Sequence, residues 1–364
     1  MSIPFILEEN RIILDAVIND KSGRFIFDSG IIDSYVNIKS FSLFPVAYTK
    51  RIYKNKLRTV LVYGLNKIYF GDMEVKANSW IINHDDIIDY LKEEEGYDGL
   101  LGMRIFEGYW CEISFPNQEI ILHKEKPKKE YKYHSPLKTF SKYDSFYLPI
   151  MVDNIEILMH VDTGLRYGAL FPNDIINSKN DNEIKSIISI EEVKNYYLVE
   201  TKSIVILDET YKNKYIMTNS YSAQRRNYTS HNDIGLIGIN ILKYYDLLFD
   251  YTEVKKGKTS GMYYQPLIPL SDRNYGFFSF LDEVPEFGIL NFWLSETRLI
   301  IMSILEDSIA YNLFNLRPGM IITKINDNPI SVFSREELLD PLFYHSVKSY
   351  SLHIDNEEKT IFIN

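Results

Sequence analysis

Two six-residue stretches carry the residue types most suited to chemistry: Phe25-Ile26-Phe27-Asp28-Ser29-Gly30 and Met159-His160-Val161-Asp162-Thr163-Gly164. In each, an apolar, strand-like run delivers an aspartate to a turn. A hydroxyl residue follows, then a glycine. Taken singly, each reads as a strand-end turn in which Asp and Ser bond local backbone and Gly supplies unusual φ. Taken together they offer two carboxylates. Gly30 and Gly164 let two such turns approach closely, and the hydroxyls of Ser29 and Thr163 can bridge to the opposing backbone. Carboxylates pressed together cannot both ionise cheaply, so they share a proton. The ionised member is then a general base for a water between them. The protonated member polarises a carbonyl and returns a proton to a leaving nitrogen. Such chemistry requires no metal, cysteine or cofactor.

The elements that must position these turns are also duplicated. Asp28 and Asp162 lie 134 residues apart, and the strands before them share that offset: Leu14–Asn19 matches Leu148–Asp153. Downstream, Gly99-Leu100-Leu101-Gly102 matches Gly235-Leu236-Ile237-Gly238, 74 and 76 residues from the respective aspartates to the last glycine. Each block leads into another β-like run, Glu112–Phe115 and Leu247–Asp250. Short alternating strands with turn signals such as Asn19-Asp20 dominate both halves. The second half carries an insertion at Asn173–Glu200, in which Asn182–Asn195 reads as a short amphipathic helix.

These paired Asp-[Ser/Thr]-Gly turns, each followed by Gly-Leu-[Leu/Ile]-Gly, resemble the aspartic proteases of the retropepsin-like and pepsin-like group over about residues 4–252. The resemblance implies a bilobed β fold with Asp28 and Asp162 as the catalytic dyad. It also implies supporting roles for Ser29, Gly30, Thr163 and Gly164 at the turns, and for Gly102 and Gly238 in the segments crossing beneath them. Ile31-Ile32-Asp33 and Leu165-Arg166-Tyr167 depart from the small residues usual after the glycine; Asp33 and Arg166 lie close enough in sequence to perturb the dyad or contact substrate, and read equally well as surface residues leaving the turn. A flap is expected between Tyr53 and Tyr69, with Tyr63-Gly64 at its tip. His160, two residues before Asp162, reads as a structural histidine.

Beyond Tyr251 the texture changes. Strands are expected at Leu299–Ile304, Met320–Ile325, Tyr350–Ile354 and Lys359–Ile363, and helices at Ser308–Leu316 and Ser334–Tyr344, the latter opened by a Ser334/Glu337 capping box. Leu316-Arg317-Pro318-Gly319 with the following strand and Asp327-Asn328 turn resembles the PDZ pattern, with Met320 where Asp is usual. The resemblance implies that Phe287, Gly288, Ile289 and Leu290 form a carboxylate-binding loop and strand for an extended C-terminal peptide.

The expected architecture is therefore mainly β: two duplicated aspartic-protease lobes (1–125 and 146–255), an inter-lobe linker (126–145), a second linker (256–280) and a small α+β PDZ-like domain (281–364). The expected activity is bacterial-type aspartic endopeptidase action on a polypeptide substrate. The alternative is a catalytically silent peptide-binding scaffold on the same fold. With 40 basic and 50 acidic residues the net charge is −10, which disfavours nucleic-acid binding. The lysines from Lys124 to Lys142 read as a solvated linker. A single cysteine, Cys111, excludes an intrachain disulfide and a Cys-cluster zinc site, and its apolar surroundings make it an inert thiol. No metal or cofactor is expected. No apolar run reaches transmembrane length, and the N-terminus is not a signal peptide. Export is favoured only if a signal has been removed; otherwise the expectation is cytoplasmic.

Overall fold

The computed structural model describes the chain except at residues 9, 32, 54–55, 83–95, 137–145, 166–167, 174, 176–183, 190–195, 208, 220–233, 253–260, 268–288, 295–297, 313, 334–348, 355–356 and 363–364. The fold is mainly β, with short helical turns such as Met103–Phe106, Ile239–Leu242 and Ile309–Asn312.

The two halves repeat one topology. In the first, strands Arg11–Ile18 and Lys21–Asp28 form an antiparallel hairpin. The Asp28 strand then pairs in parallel with Gly99–Gly102, placing Asp28 opposite Gly102, and that strand pairs antiparallel with Tyr35–Val36. In the second, Tyr147–Val152 and Ile155–Val161 form the hairpin. Ile155–Val161 pairs in parallel with Ile234–Ile237, which pairs antiparallel with Ala169–Pro172. Both hairpins close through two consecutive non-glycine residues at positive φ, Asn19-Asp20 and Asp153-Asn154. That is the type I′ geometry whose twist matches flanking strands, and Asn and Asp tolerate it best. The parallel pairing explains why the strands leading to the aspartates are apolar on both faces: Phe25, Ile26, Phe27, Met159 and Val161 are all buried.

A third sheet joins the halves. Its order is Ser2–Pro4, Glu119–His123, Trp110–Ser114, Tyr245–Asp250, Gly261–Pro266, Tyr133–Pro136. The central pairing, Trp110–Ser114 with Tyr245–Asp250, takes one strand from each half and sets Cys111 opposite Phe249 and Ile113 opposite Leu247. One continuous core runs through both lobes and this sheet, from Ile3 and Phe27 to Phe146, Phe249 and Tyr264. Cys111 lies fully inside it, and burial pushes its thiol pKa far up, as an inert thiol requires.

The stretch read as an inter-lobe linker is tied down. Tyr133–Pro136 is a strand paired with Gly261–Pro266, itself inside the stretch read as the second linker. Lys129 reaches Glu112 at 2.7 Å and Asp246 at 3.0 Å, one carboxylate from each half. Lys124 sits 3.7 Å over the Tyr109 ring and Lys126 3.7 Å over that of Tyr263. The sequence shows a basic run; only the fold brings the opposing carboxylates and rings beneath it.

The C-terminal module contains Ile289–Leu294, Leu299–Leu305, Ile321–Ile325, Asn328–Pro329, Ser349–Ile354 and Glu357–Phe362. Gly319 adopts φ +92° at the Arg317-Pro318-Gly319 turn and donates to Ile301 O at 2.7 Å. Arg317 stacks over Tyr311 at 3.7 Å and bonds the Tyr311 carbonyl. The helix expected at Ser308–Leu316 is one turn, Ile309–Asn312, capped by Ser308 and ended by Asn315 at φ +52°. The Ser334–Tyr344 helix lies outside the described residues.

The insertion in the second lobe corrects one expectation. Ile184–Ser189, read as part of an amphipathic helix, is a strand; residues 190–195 lie outside the described set. This strand pairs with Tyr196–Ile206 on one side and with Leu299–Leu305 of the C-terminal module on the other. Ile187 and Leu198 complete the module's core alongside Ile289, Ile301 and Ile304. The run Ile184-Lys185-Ser186-Ile187-Ile188-Ser189 has too few residues to separate the two periods, and pairing on both edges decides for strand. The module is thus continuous in sheet and core with the second lobe.

Candidate active site

Asp28 closes its strand, and Asp162 follows directly on Val161. The two turns interlock through four hydrogen bonds. Ser29 N donates to Thr163 Oγ1 at 2.9 Å, and Thr163 N donates to Ser29 Oγ at 3.0 Å. Ser29 Oγ donates to the Val161 carbonyl at 2.8 Å, and Thr163 Oγ1 donates to the Phe27 carbonyl at 3.0 Å. Each hydroxyl therefore accepts from one backbone group of the opposite turn and donates to another. Ser29 and Thr163 are fully buried, so these bonds satisfy groups that water cannot reach.

The glycines show how close the approach is. A Cβ added at Gly30 would lie 2.5 Å from Asp162 Cγ, and one added at Gly164 would collide in the same way with the Asp28 carboxyl. Each carboxyl group packs on the backbone of the other lobe's glycine, so any side chain there would drive the turns apart. Each carboxylate is also held by its own turn. Gly30 N donates to Asp28 Oδ1 at 2.7 Å, and Gly164 N and Leu165 N donate to Asp162 Oδ1, each at 3.0 Å.

The Gly-Leu-[Leu/Ile]-Gly strands brace the turns from below. Met103 N bonds Ile31 O, and in the second lobe Ile239 N bonds Leu165 O, each at 3.1 Å. Gly102 N donates to Ser34 Oγ at 3.1 Å, whereas Gly238 N donates to the Gly168 carbonyl at 2.6 Å. The lobes differ most at the next positions. Arg104 forms an ion pair with buried Asp33. The corresponding Asn240 instead accepts from Lys243 Nζ at 2.9 Å, and that ammonium also reaches Asn10 of the first lobe at 3.0 Å. The sequence places Asp33 close enough to the turn to perturb the dyad or contact substrate; in the fold it pairs with Arg104, a pairing no local spacing rule reveals. Arg166 lies outside the described residues.

His160 is buried and stacks on Tyr147, ring centroids 5.2 Å apart, a packing role. Tyr63-Gly64 is not a hairpin tip. Both residues sit in the middle of strand Lys56–Phe70, Tyr63 paired with Pro45 on one side and Ile81 on the other, Gly64 with Trp80. The hairpin reverses between Tyr53 and Lys56. A Tyr-Gly pair suggested a turn, but the apolar run through it continues and Tyr63 is needed in the core. In the C-terminal module, Phe287 and Gly288 lie outside the described residues. Ile289 is buried in the module core and opens strand Ile289–Leu294, which contains Leu290. Among the described residues, no group of three or more His, Cys, Asp or Glu side chains is placed to hold a metal ion.

Comparison with known proteins returns no matching family model and no matching curated protein. Among solved structures, the chain is similar to an aspartic proteinase from Irpex lacteus, with 9% identity, a TM-score of 0.42, and coverage of 75% of this chain and 99% of that one.

Proposed function

We propose that the chain is an aspartic-type endopeptidase. Asp28 and Asp162 share one proton; the ionised carboxylate takes a proton from a water held between them as that water attacks the scissile carbonyl carbon. The protonated carboxyl donates a hydrogen bond to the carbonyl oxygen as it becomes tetrahedral. Collapse of that intermediate breaks the C–N bond, and the proton taken from water passes to the departing amine. Ser29 and Thr163 hold the two turns in register, and Gly30 and Gly164 admit the close approach. Gly102 and Gly238 let the supporting strands run beneath. The observation that carries this reading is the reciprocal four-bond lock between Ser29 and Thr163, with each carboxyl seated on the opposite glycine.

The substrate is an extended polypeptide. The C-terminal module binds a peptide segment along Ile289–Leu294, its carboxylate held by backbone N–H groups of Phe287, Gly288, Ile289 and Leu290. In support, Ile289–Leu294 pairs with Leu299–Leu305 and, among the described residues, has no strand on its other edge.

The test is cleavage of a diverse peptide library from acidic to neutral pH by the native chain, Asp28→Asn and Asp162→Asn. Cleavage lost in both variants, with unchanged folding, supports the shared-carboxylate mechanism. Cleavage that survives either substitution refutes it, and a folded native chain that cleaves nothing transfers the reading to a binding scaffold.

A further inference from the structure

The outer face of the sheet that joins the halves carries an aromatic cluster that the proposed catalysis does not use. Along its strands Cys111, Met262 and Tyr264 point into the continuous core. The alternate positions Trp110 and Tyr263 point the other way and are only half-buried. Tyr263 is the hub. Its ring centroid lies 5.9 Å from that of Trp110, 6.4 Å from that of Tyr131 and 4.4 Å from that of His134, its direct cross-strand partner. Among the described residues, these four rings belong to none of the apolar core clusters. Single aromatic rings at a surface are ordinary, whereas a contiguous group outside any core signals an interaction site.

A cation already rests on this cluster. The Lys126 ammonium lies 3.7 Å from the centre of the Tyr263 ring and 5.7 Å from that of Trp110. The two rings are inclined at 51° to each other, like two walls of a box. Neighbouring Lys129 is different, because two carboxylates hold it. Among the described residues, Lys126 is held by rings alone, and its side chain is exposed, so it can swing out into water. Asp250 stands directly opposite Trp110 across the paired strands and adds negative charge on the same face. Burial, and Lys126 beside it, hold the His134 pKa below its ordinary value. At neutral pH that residue therefore adds a ring and no competing charge.

We propose that Trp110 and Tyr263, with the rings around them, form a binding site for a trimethylammonium group, which Lys126 fills as an internal stand-in. Aromatic faces carry negative potential and attract a cation placed over them. A primary ammonium is compact and strongly hydrated, so it gives up water reluctantly. A trimethylammonium group is weakly hydrated and fills the angle between two rings with methyl contacts as well as charge. The same surface therefore holds it more tightly than it holds Lys126. Choline in solution and a phosphatidylcholine headgroup both carry the group, and the experiment separates them.

The probe is choline, with 3,3-dimethylbutan-1-ol as its uncharged isostere. The full chain is labelled with 5-fluorotryptophan, and among its three tryptophans the Trp110 resonance is the one missing from Trp110→Phe. Fluorine shifts are followed in the parent and in Lys126→Ala. The expected result is a saturable shift of the Trp110 resonance with choline, a dissociation constant at least about tenfold lower in Lys126→Ala than in the parent, and no shift with the alcohol. Adding Tyr263→Leu to Lys126→Ala should abolish the response while the other tryptophan resonances stay in place. Equal shifts from choline and the alcohol overturn a cation site without requiring any change to the protein. Parent-like affinity in Lys126→Ala, or a Trp110 resonance unmoved at about 0.1 M choline, also overturns the proposal. Sedimentation of Lys126→Ala with phosphatidylcholine but not phosphatidylglycerol vesicles supports the site and assigns the group to a lipid headgroup. Choline binding without sedimentation supports the site and assigns the group to a small solute.

Discussion

Replacing Thr163 with Val tests the lock at the centre of the molecule. Valine keeps the shape of threonine but removes Oγ1, which accepts from Ser29 N at 2.9 Å and donates to the Phe27 carbonyl at 3.0 Å. Ser29 and Thr163 are buried, so water cannot take over either bond. Each backbone group left without a partner costs about 1–3 kcal/mol. The two together cost roughly 2–6 kcal/mol, and about 3 kcal/mol corresponds to a melting temperature lower by about 6–12 °C. Thr163→Ser keeps the hydroxyl and deletes one methyl, a loss of about 1 kcal/mol. Thermal unfolding followed by circular dichroism at neutral pH, with all three proteins side by side, reads the difference directly. Activity on a cleaved peptide should follow the same order, with kcat falling more than KM changes, because the turns that aim the carboxylates have lost register. A Val variant within about 1 kcal/mol of the parent, or a Ser variant as damaged as the Val variant, would refute the hydroxyl lock as the source of that stability.

Gly30→Ala places a methyl where ordinary contact needs about 1 Å more than the structure provides against Asp162. Displacement of that order should cut kcat about 100-fold with the fold retained, and parent-like kcat at unchanged secondary structure would contradict it. Lys129→Met removes the cation shared by Glu112 and Asp246 in the inter-lobe sheet and leaves them only His123 and Gln265; because the lysine is partly solvated, a loss of about 1–2 kcal/mol in urea unfolding at neutral pH is expected. Burial pushes the Glu112 pKa up, but hydrogen bonds from Lys129 and His123 outweigh it and hold the pKa below the ordinary value. Stability from such a depressed carboxylate is present above its unfolded value and lost as pH falls through the folded one. The gap between parent and variant should therefore shrink on acidification below about pH 4; a gap that widens refutes the assignment. Truncation before residue 282 uncovers the edge of Ile184–Ser189 together with Ile187 and Leu198. Light scattering should then rise relative to the full chain, and identical scattering and melting would show that the junction contributes nothing.

Some features could be read because short-range physics writes them into the chain. The offset of 134 residues governs not only the aspartates but also the turns that feed them, since Asn19-Asp20 and Asp153-Asn154 adopt the same pair of positive φ values. The C-terminal strands Leu299–Leu305 and Ser349–Ile354 lie within a residue of their sequence-based limits for the same reason: alternating apolar positions and turn residues bound them. The misreadings share a different cause. Tyr63-Gly64 has turn-like composition, yet strands on both sides hold it extended. Ile184–Ser189 is too short for its periodicity to speak, and partners from two parts of the chain make it a strand.

Residue order alone names the groups that could meet: two aspartates, two hydroxyls and two glycines in matched frames. Tertiary structure decided what they meet. It crossed the Ser29 and Thr163 hydroxyls onto opposite backbones, set Arg104 on Asp33, drew Lys129 between Glu112 and Asp246, and fused the C-terminal module to the second lobe. Each of these joins residues far apart in sequence. Local propensity and hydrophobic period act over a few residues, whereas such partners are chosen only when distant apolar faces pack and leave their buried polar groups to find one another.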